Sequence, residues 1–396
     1  MVNLGLVSGG IYRGVYQPLE THASQIFSEF QGLGAKWVRI EYGWNDIKDV
    51  SLYQRIAKAA HAKGLKVLVL LDKEYGGDDN KPEQIDPFIA SYITELETML
   101  NTVFLKNTEY RADAIEIGNE PNNPKPHKTN QSITGNAFAW LLARVWDWAK
   151  RNNRPELIVS GGILNTYCEN SNIGGDQIRI ESWWQAFFNS GMWGQYRGKR
   201  PFDFMGIHPY NPYSINIFDI VNQGTPGPIS GYYFPSPPYA VPTYRTDIFA
   251  HWKDVTKTTL QHLGTKIDNL TGMSNTQFFV TEFGWQMPKP PSANSSYPER
   301  RRVVAVDNMV TILEQAASGM EAAVQAFRES GRVNTAFWYD YRNDPPTDSA
   351  NLDTVKRFGL RSSQTGNNYP AKLPVWNQFK KLAGGQGSSD PESYWT

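Results

Sequence analysis

The chain has 396 residues, 40% hydrophobic and 20% charged, which supplies a large core and excludes an intrinsically disordered chain. Lysine plus arginine and aspartate plus glutamate are equal at 39 each, so no basic field exists to attract nucleic acid or an anionic membrane surface. The expected partner is therefore uncharged.

Short apolar, β-branched runs alternate with amphipathic stretches, the pattern of parallel strands joined by crossover helices. Asn3–Gly9 reads as the first strand, followed by a helix across His22–Leu33 and a strand over Lys36–Tyr42. Ser51–Lys63 is helical and stopped by Gly64, and Leu65–Leu71 is a near-continuous apolar strand of the kind buried on both faces. Helix Ile85–Leu105, strand Ala112–Gly118 and helix Gly135–Arg151 continue the rhythm, as do strand Leu157–Gly161, helix Glu181–Asn189 and strand Asp203–Ile207. Residues 209–244 are dense in Pro, Gly and Tyr without helical period, and predict an irregular loop long enough to have a functional use. Helix Asp247–Leu263, strand Gln277–Phe283, a helix within Glu299–Ser330, strand Val333–Tyr339 and helix Leu373–Leu382 complete the chain.

Eight such strands predict an α/β protein with a closed parallel (β/α)8 TIM barrel, a single domain over residues 1–384. No GxGxxG follows the first strand, which weakens a dinucleotide-binding sheet. The polar, glycine-rich segment 385–396 predicts a flexible tail. Cys168 is the lone cysteine, and no apolar run of about 18 residues predicts a membrane span. The first residues lack the basic and apolar regions of a signal peptide, so localisation is left open: secreted or periplasmic if a leader was removed, cytoplasmic otherwise. A monomer is the expected state.

In such barrels the active groups sit where strands end at the C-terminal face. Three ends are polar: Asn119-Glu120-Pro121, His208-Pro209-Tyr210, and Thr281-Glu282-Phe283-Gly284-Trp285. Two carboxylates facing one mouth suit glycoside hydrolysis through a covalent intermediate, where one group protonates the leaving oxygen and the other attacks the anomeric carbon. The separation of Glu120 and Glu282 matches three βα units of about 50 residues each. A strand-end glutamate taken alone is as readily a structural ion-pair member.

The segments IEIGNEPN at 115–122 and FFVTEFGWQ at 278–286 resemble the acid/base and nucleophile strands of the clan A glycoside hydrolases, which include families 5 and 39. The resemblance extends to Arg39, the His208 and Tyr210 pair, Trp338 and the terminal FGL…NYPAKLPVWNQF. It implies a retaining β-glycoside hydrolase with Glu120 as acid/base, Glu282 as nucleophile and Asn119 donating to the 2-hydroxyl of the attacked sugar. The third strand ends in Leu71-Asp72-Lys73-Glu74 where family 5 members typically place a histidine, so a family 39-like member fits at least as well.

Physical reasoning gives the supporting residues separate tasks. Arg39 would keep Glu282 ionised, or else form a structural ion pair. Tyr210 would donate its hydroxyl to the nucleophile, and His208 would contact substrate or tune Glu120, although both residue types also serve as satisfied interior polar groups. Trp338 would floor the subsite of the attacked sugar, against the alternative of plain packing. Trp44, Trp285 and the tyrosines of the long loop would extend the cleft or merely shield the barrel rim. Glu41 is a rival carboxylate, better suited to an ion pair or a sugar hydroxyl because Arg39 is its neighbour.

The histidines include no HxH or HExxH pair and no phosphate loop is present, so neither a metal nor a cofactor is expected. A non-catalytic carbohydrate-binding barrel would keep the aromatics and lose a carboxylate, whereas both are present. The 13 Trp, 20 Tyr and 19 Phe suit several consecutive sugar subsites, hence endo action on a β-linked polysaccharide. An exo-β-glycosidase or a transglycosylase would use the same apparatus.

Overall fold

A computed structural model of the protein describes residues 2–7, 18–43, 48–73, 82–122, 133–164, 182–209, 246–284, 309–341, 359–361 and 371–394. Eight strands close into one parallel barrel in sequence order: β1 (Asn3–Val7), β2 (Trp37–Tyr42), β3 (Lys66–Leu71), β4 (Ala114–Asn119), β5 (Leu157–Leu164), β6 (Met205–His208), β7 (Phe278–Phe283) and β8 (Val333–Trp338). Closure falls between β1 and β8, where Leu6 lies opposite Trp338. The barrel is the (β/α)8 TIM architecture that the strand count predicts.

Both faces of each strand are covered, which is why β3 buries every residue after Lys66 and reads as an unbroken apolar run. Side chains alternate between two cores. Val7, Trp37, Leu68, Ala114, Val159, Phe279 and Phe337 fill the barrel interior. Their neighbours one position along, among them Leu6, Val38, Val69, Ile115, Val280 and Ala336, face the outer core. Trp37 meets Phe279 edge-on at 5.4 Å, so the lower barrel is plugged with rings and any site must sit above them.

The helices are α1 (Pro18–Gly32), α2 (Val50–Ala62), α3 (Pro82–Thr102), α4 (Gly135–Arg151), α5 over 182–188, α6 (Met192–Gln195), α7 (Thr246–Thr271), α8 (Met309–Ser330) and α9 (Leu373–Ala383). Asp49 caps α2 by accepting the Leu52 amide, and Thr134 caps α4 by accepting that of Ala137. α7 runs well past the expected stop at Leu263, because Gly264 lies against Arg332 and the following turns bury Ile267 and Thr271. β5 likewise passes Gly161. The glycines there read as punctuation in the sequence, yet a Cβ on Gly161 would lie 2.4 Å from the carbonyl oxygen of Gly118, so close strand approach demands them.

The segment after Ala383, expected as a flexible tail, is tied down through Ser393 instead. Gly387 donates to the Gly32 carbonyl, Lys380 Nζ to the carbonyls of Gly387 and Ser388, and Arg361 to the Pro391 carbonyl, ahead of a 3-10 turn over Pro391–Tyr394. Arg361 is held in turn by Glu29 of α1, which also accepts from Tyr341 and Trp376. A polar, glycine-rich composition hid this anchoring because, apart from the Glu392 carboxylate that accepts from Arg361, the segment makes these contacts through backbone groups. Among the described residues, no helix is long and apolar enough to cross a membrane.

Candidate active site

The mouth is shaped first by the end of β4. Gly118 at φ 76° and Glu120 at φ 45° are left-handed and flank Asn119, turning consecutive side chains into the barrel mouth. A glutamate in that region is strained by about 1–3 kcal/mol and persists only where neighbours hold it. Here the Asn119 amide donates to Asp72 Oδ1 at 3.1 Å, and the Glu120 amide donates to the Gly162 carbonyl at 3.1 Å.

Arg39, on the inner face of β2, ties the site together. Its Nε donates to Glu116 Oε2 at 2.5 Å, Nη1 to Glu282 Oε1 at 2.7 Å and Nη2 to Asn119 Oδ1 at 3.0 Å. Burial alone would pull the guanidinium pKa down, but the charges of Glu116 and Glu282 outweigh it and the net shift is upward, with Glu41 adding to it. Arg39 is therefore a cation held against Glu282. It is equally an ion-pair partner of Glu116, a residue that sequence reasoning passed over. Glu116 is fully buried, and its second oxygen accepts the Gly162 amide at 3.0 Å. Its signal was available: a lone acid in an apolar strand, on the inward parity of Ala114.

β7 carries a bulge between Val280 and Phe283. A bulge re-aims side chains, and here Thr281 and Glu282 both face the interior while Phe283 packs outward on Phe327 of α8. His208 ends β6, fully buried, with Nδ1 at 3.1 Å from Glu120 Oε1 and 3.8 Å from Glu282 Oε2, and Nε2 at 3.0 Å from Thr281 Oγ1. A Cβ on Gly162 would lie 2.0 Å from Nε2, so only glycine lets the imidazole take this place.

One donor atom each from Glu120, His208 and Glu282 lies within 4.8 Å of the other two. The two catalytic candidates thus converge closely, Glu282 buried and Glu120 half-buried. By donor type the trio could also hold a divalent cation, a grouping from three strands that no local motif would reveal.

Trp338 requires a correction. Expected as the floor of the mouth, it is buried in the outer core, meeting Phe283 edge-on at 5.3 Å. The period of two puts Phe337 and then Tyr339 on the inner side, and Tyr339 packs half-buried against the interior cluster. Glu41 is half-buried on the inward parity of Arg39. Trp44, Tyr210, Trp285 and all of the 209–244 loop beyond Pro209 lie outside the described residues.

No protein-family profile and no curated protein matches the chain. Solved structures do. A GH5_18 variant from Streptomyces cattleya in complex with Manb1-4GlcNAc is 13% identical at TM-score 0.56, covering 97% of this chain and 80% of that one. The family 1 β-glucosidase from Thermotoga maritima is 13% identical at TM-score 0.52, covering 98% of each chain. A fungal β-1,4-galactanase is 15% identical at TM-score 0.52, covering 95% of this chain and 99% of that one. At such identities the likeness establishes the fold alone, a (β/α)8 barrel.

Proposed function

We propose that the protein is a retaining β-glycoside hydrolase working by double displacement, with Glu282 as nucleophile and Glu120 as general acid/base. The observation that carries this reading is the convergence of the two carboxylates within 4.8 Å at the C-terminal mouth of the barrel. Retaining enzymes need a short separation of about 5–5.5 Å, whereas inverting enzymes leave a wider gap for water. The glycosidase names of the structural neighbours support the same chemistry.

Arg39 holds Glu282 Oε1, which directs Oε2 at the anomeric carbon. Glu120 gives its proton to the glycosidic oxygen as the carbon–oxygen bond breaks, and the aglycone departs as an alcohol. The sugar remains as an ester on Glu282. Water then attacks the same carbon while Glu120 takes its proton, releasing the Glu282 carboxylate with overall retention. Asn119 commits Oδ1 to Arg39, so its Nδ2 hydrogens are the ones to donate to the sugar 2-hydroxyl. Tyr339 is better placed than Trp338 to pack on the sugar ring, and Trp44, Tyr210, Trp285 and Glu41 are carried as further substrate contacts. The substrate is proposed to be a β-linked polysaccharide or oligosaccharide cleaved internally.

The test is a screen of polysaccharides and aryl glycosides with NMR of the first-formed anomer. A β product, with a slow 2-deoxy-2-fluoro glycoside trapped on Glu282, is expected. An α product, or activity abolished by a chelator, would refute the reading. Viscosity falling ahead of reducing-end release is expected for endo action, and oligosaccharide synthesis in place of hydrolysis would mark a transglycosylase.

A further inference from the structure

Thr281 and His208 are both fully buried, with the hydroxyl and Nε2 3.0 Å apart. The backbone of Gly162 packs directly on this contact, since a Cβ there would lie 2.0 Å from Nε2 and 2.6 Å from Oγ1. A threonine hydroxyl carries one hydrogen, and a buried donor without an acceptor is costly. Among the described residues the acceptor bonded to Thr281 is Nε2 of His208. If Nε2 bore the ring hydrogen, Thr281 could only accept and its own hydrogen would be stranded. A ring protonated on both nitrogens would strand it equally.

We infer that Thr281 donates to His208 Nε2, holds the imidazole as its Nδ1–H tautomer, and so steers the acid proton of Glu120 onto Oε2. The Nδ1 hydrogen points at Glu120 Oε1, 3.1 Å away, and occupies the side of that oxygen where a carboxyl proton would otherwise face the ring. The proton of the neutral acid then resides on Oε2, the oxygen able to serve the leaving group. The opposite tautomer would let Nδ1 accept that proton and sequester it. When Glu120 becomes a carboxylate, the same Nδ1 hydrogen bonds to it unchanged, so the imidazole needs no rearrangement between the two half-reactions. Thr281 touches neither the sugar nor the reacting atoms and acts as a positioning residue, in a role that rests on the assignment of Glu120 as acid/base.

Nitrogen-15 NMR of histidine-labelled protein reads the tautomer directly, with the His208 signals identified by their change in Thr281→Ser and their loss in His208→Gln. Nδ1 is expected as the protonated nitrogen and Nε2 as a hydrogen-bonded acceptor; a hydrogen on Nε2 overturns the inference. In kinetics, Thr281→Val is expected to slow glycosides with poor leaving groups about 10–100-fold while activated aryl glycosides stay within about threefold. Thr281→Ser, which restores the hydroxyl, should recover most of the loss. Equal loss on both leaving-group classes, or the same loss in Ser as in Val, overturns the steering. An Nδ1–H ring in a protein that cleaves no glycoside would overturn the hydrolase reading and the steering with it. An active enzyme bearing Nε2–H would overturn the steering alone.

Discussion

Glu116 and Glu282 are held on the same guanidinium, Glu116 Oε2 at 2.5 Å from Arg39 Nε and Glu282 Oε1 at 2.7 Å from Nη1. Glu116 lies in the floor of the mouth and Glu282 is the proposed nucleophile, and both are too buried for water to replace the lost cation. Arg39→Met should therefore cost about 3–5 kcal/mol of stability, because it leaves buried charge uncompensated. Adding Glu116→Gln in that background should restore part of the loss by removing one orphaned anion. Urea denaturation of the single and double variants measures both. A neutral Arg39→Met would show that the pair contributes nothing to the fold.

The two carboxylates separate by leaving group. On the proposed mechanism Glu282→Gln should reduce turnover of every glycoside by at least about 1,000-fold, since it replaces the nucleophilic carboxylate with a neutral amide. Glu120→Ala should spare aryl glycosides with good leaving groups, which need little protonation, and lose about 100-fold or more on unactivated ones. Azide should accelerate Glu120→Ala and return a β-glycosyl azide. Full activity in Glu282→Gln would remove it from the mechanism.

Trp338 and Tyr339 are adjacent yet face opposite cores, and the two should fail differently. Trp338→Ala empties a buried site against Phe283 and should cost about 3–5 kcal/mol, read from thermal or urea unfolding. Tyr339→Ala should raise KM or lower kcat/KM with a smaller stability change. The reverse pattern would return the sugar platform to Trp338.

Asp113 supplies a pH dependence. Burial by itself would push its carboxyl pKa up, but the hydrogen bonds from His61 and the Val67 amide override it and the net shift is downward. A carboxyl depressed in the folded state contributes stability that is present above its unfolded pKa of about 3.9 and is lost as pH falls through the lower folded value. Asp113→Asn should therefore be less stable than wild type at neutral pH, and the gap should narrow below about pH 4. Urea midpoints at pH 7 and pH 3 decide it, and a gap that widens in acid would contradict the sign.

How much of this was legible from residues alone follows from the range of each interaction. Strand order, the barrel, and the strand ends carrying Asn119, Glu120, His208 and Glu282 all follow from local periodicity and from the rule that catalytic groups cluster where strands stop. The family resemblance also singled out Arg39 on the second strand. It did not show that Arg39 is shared with Glu116, because a buried acid on β4 acquires its partner only when β2 and β4 pair to either side of β3 and turn both side chains inward. Trp338 was misplaced for a different reason: one residue of parity decides which core a ring enters, and parity near the β7 bulge is set by pairing with the neighbouring strand.

The amino-acid sequence by itself determined the alternation of strands and helices, the closure into eight, and the pair of glutamates at one end, since these depend on side-chain period and on composition. Tertiary structure alone decided that the paired carboxylates meet within 4.8 Å, that Thr281 and Gly162 position His208, and that Gly387, Ser388 and Pro391 are tied down as an anchored end. Those depend on hydrogen bonds and close approaches between residues from different strands, whose geometry exists only once the barrel has closed.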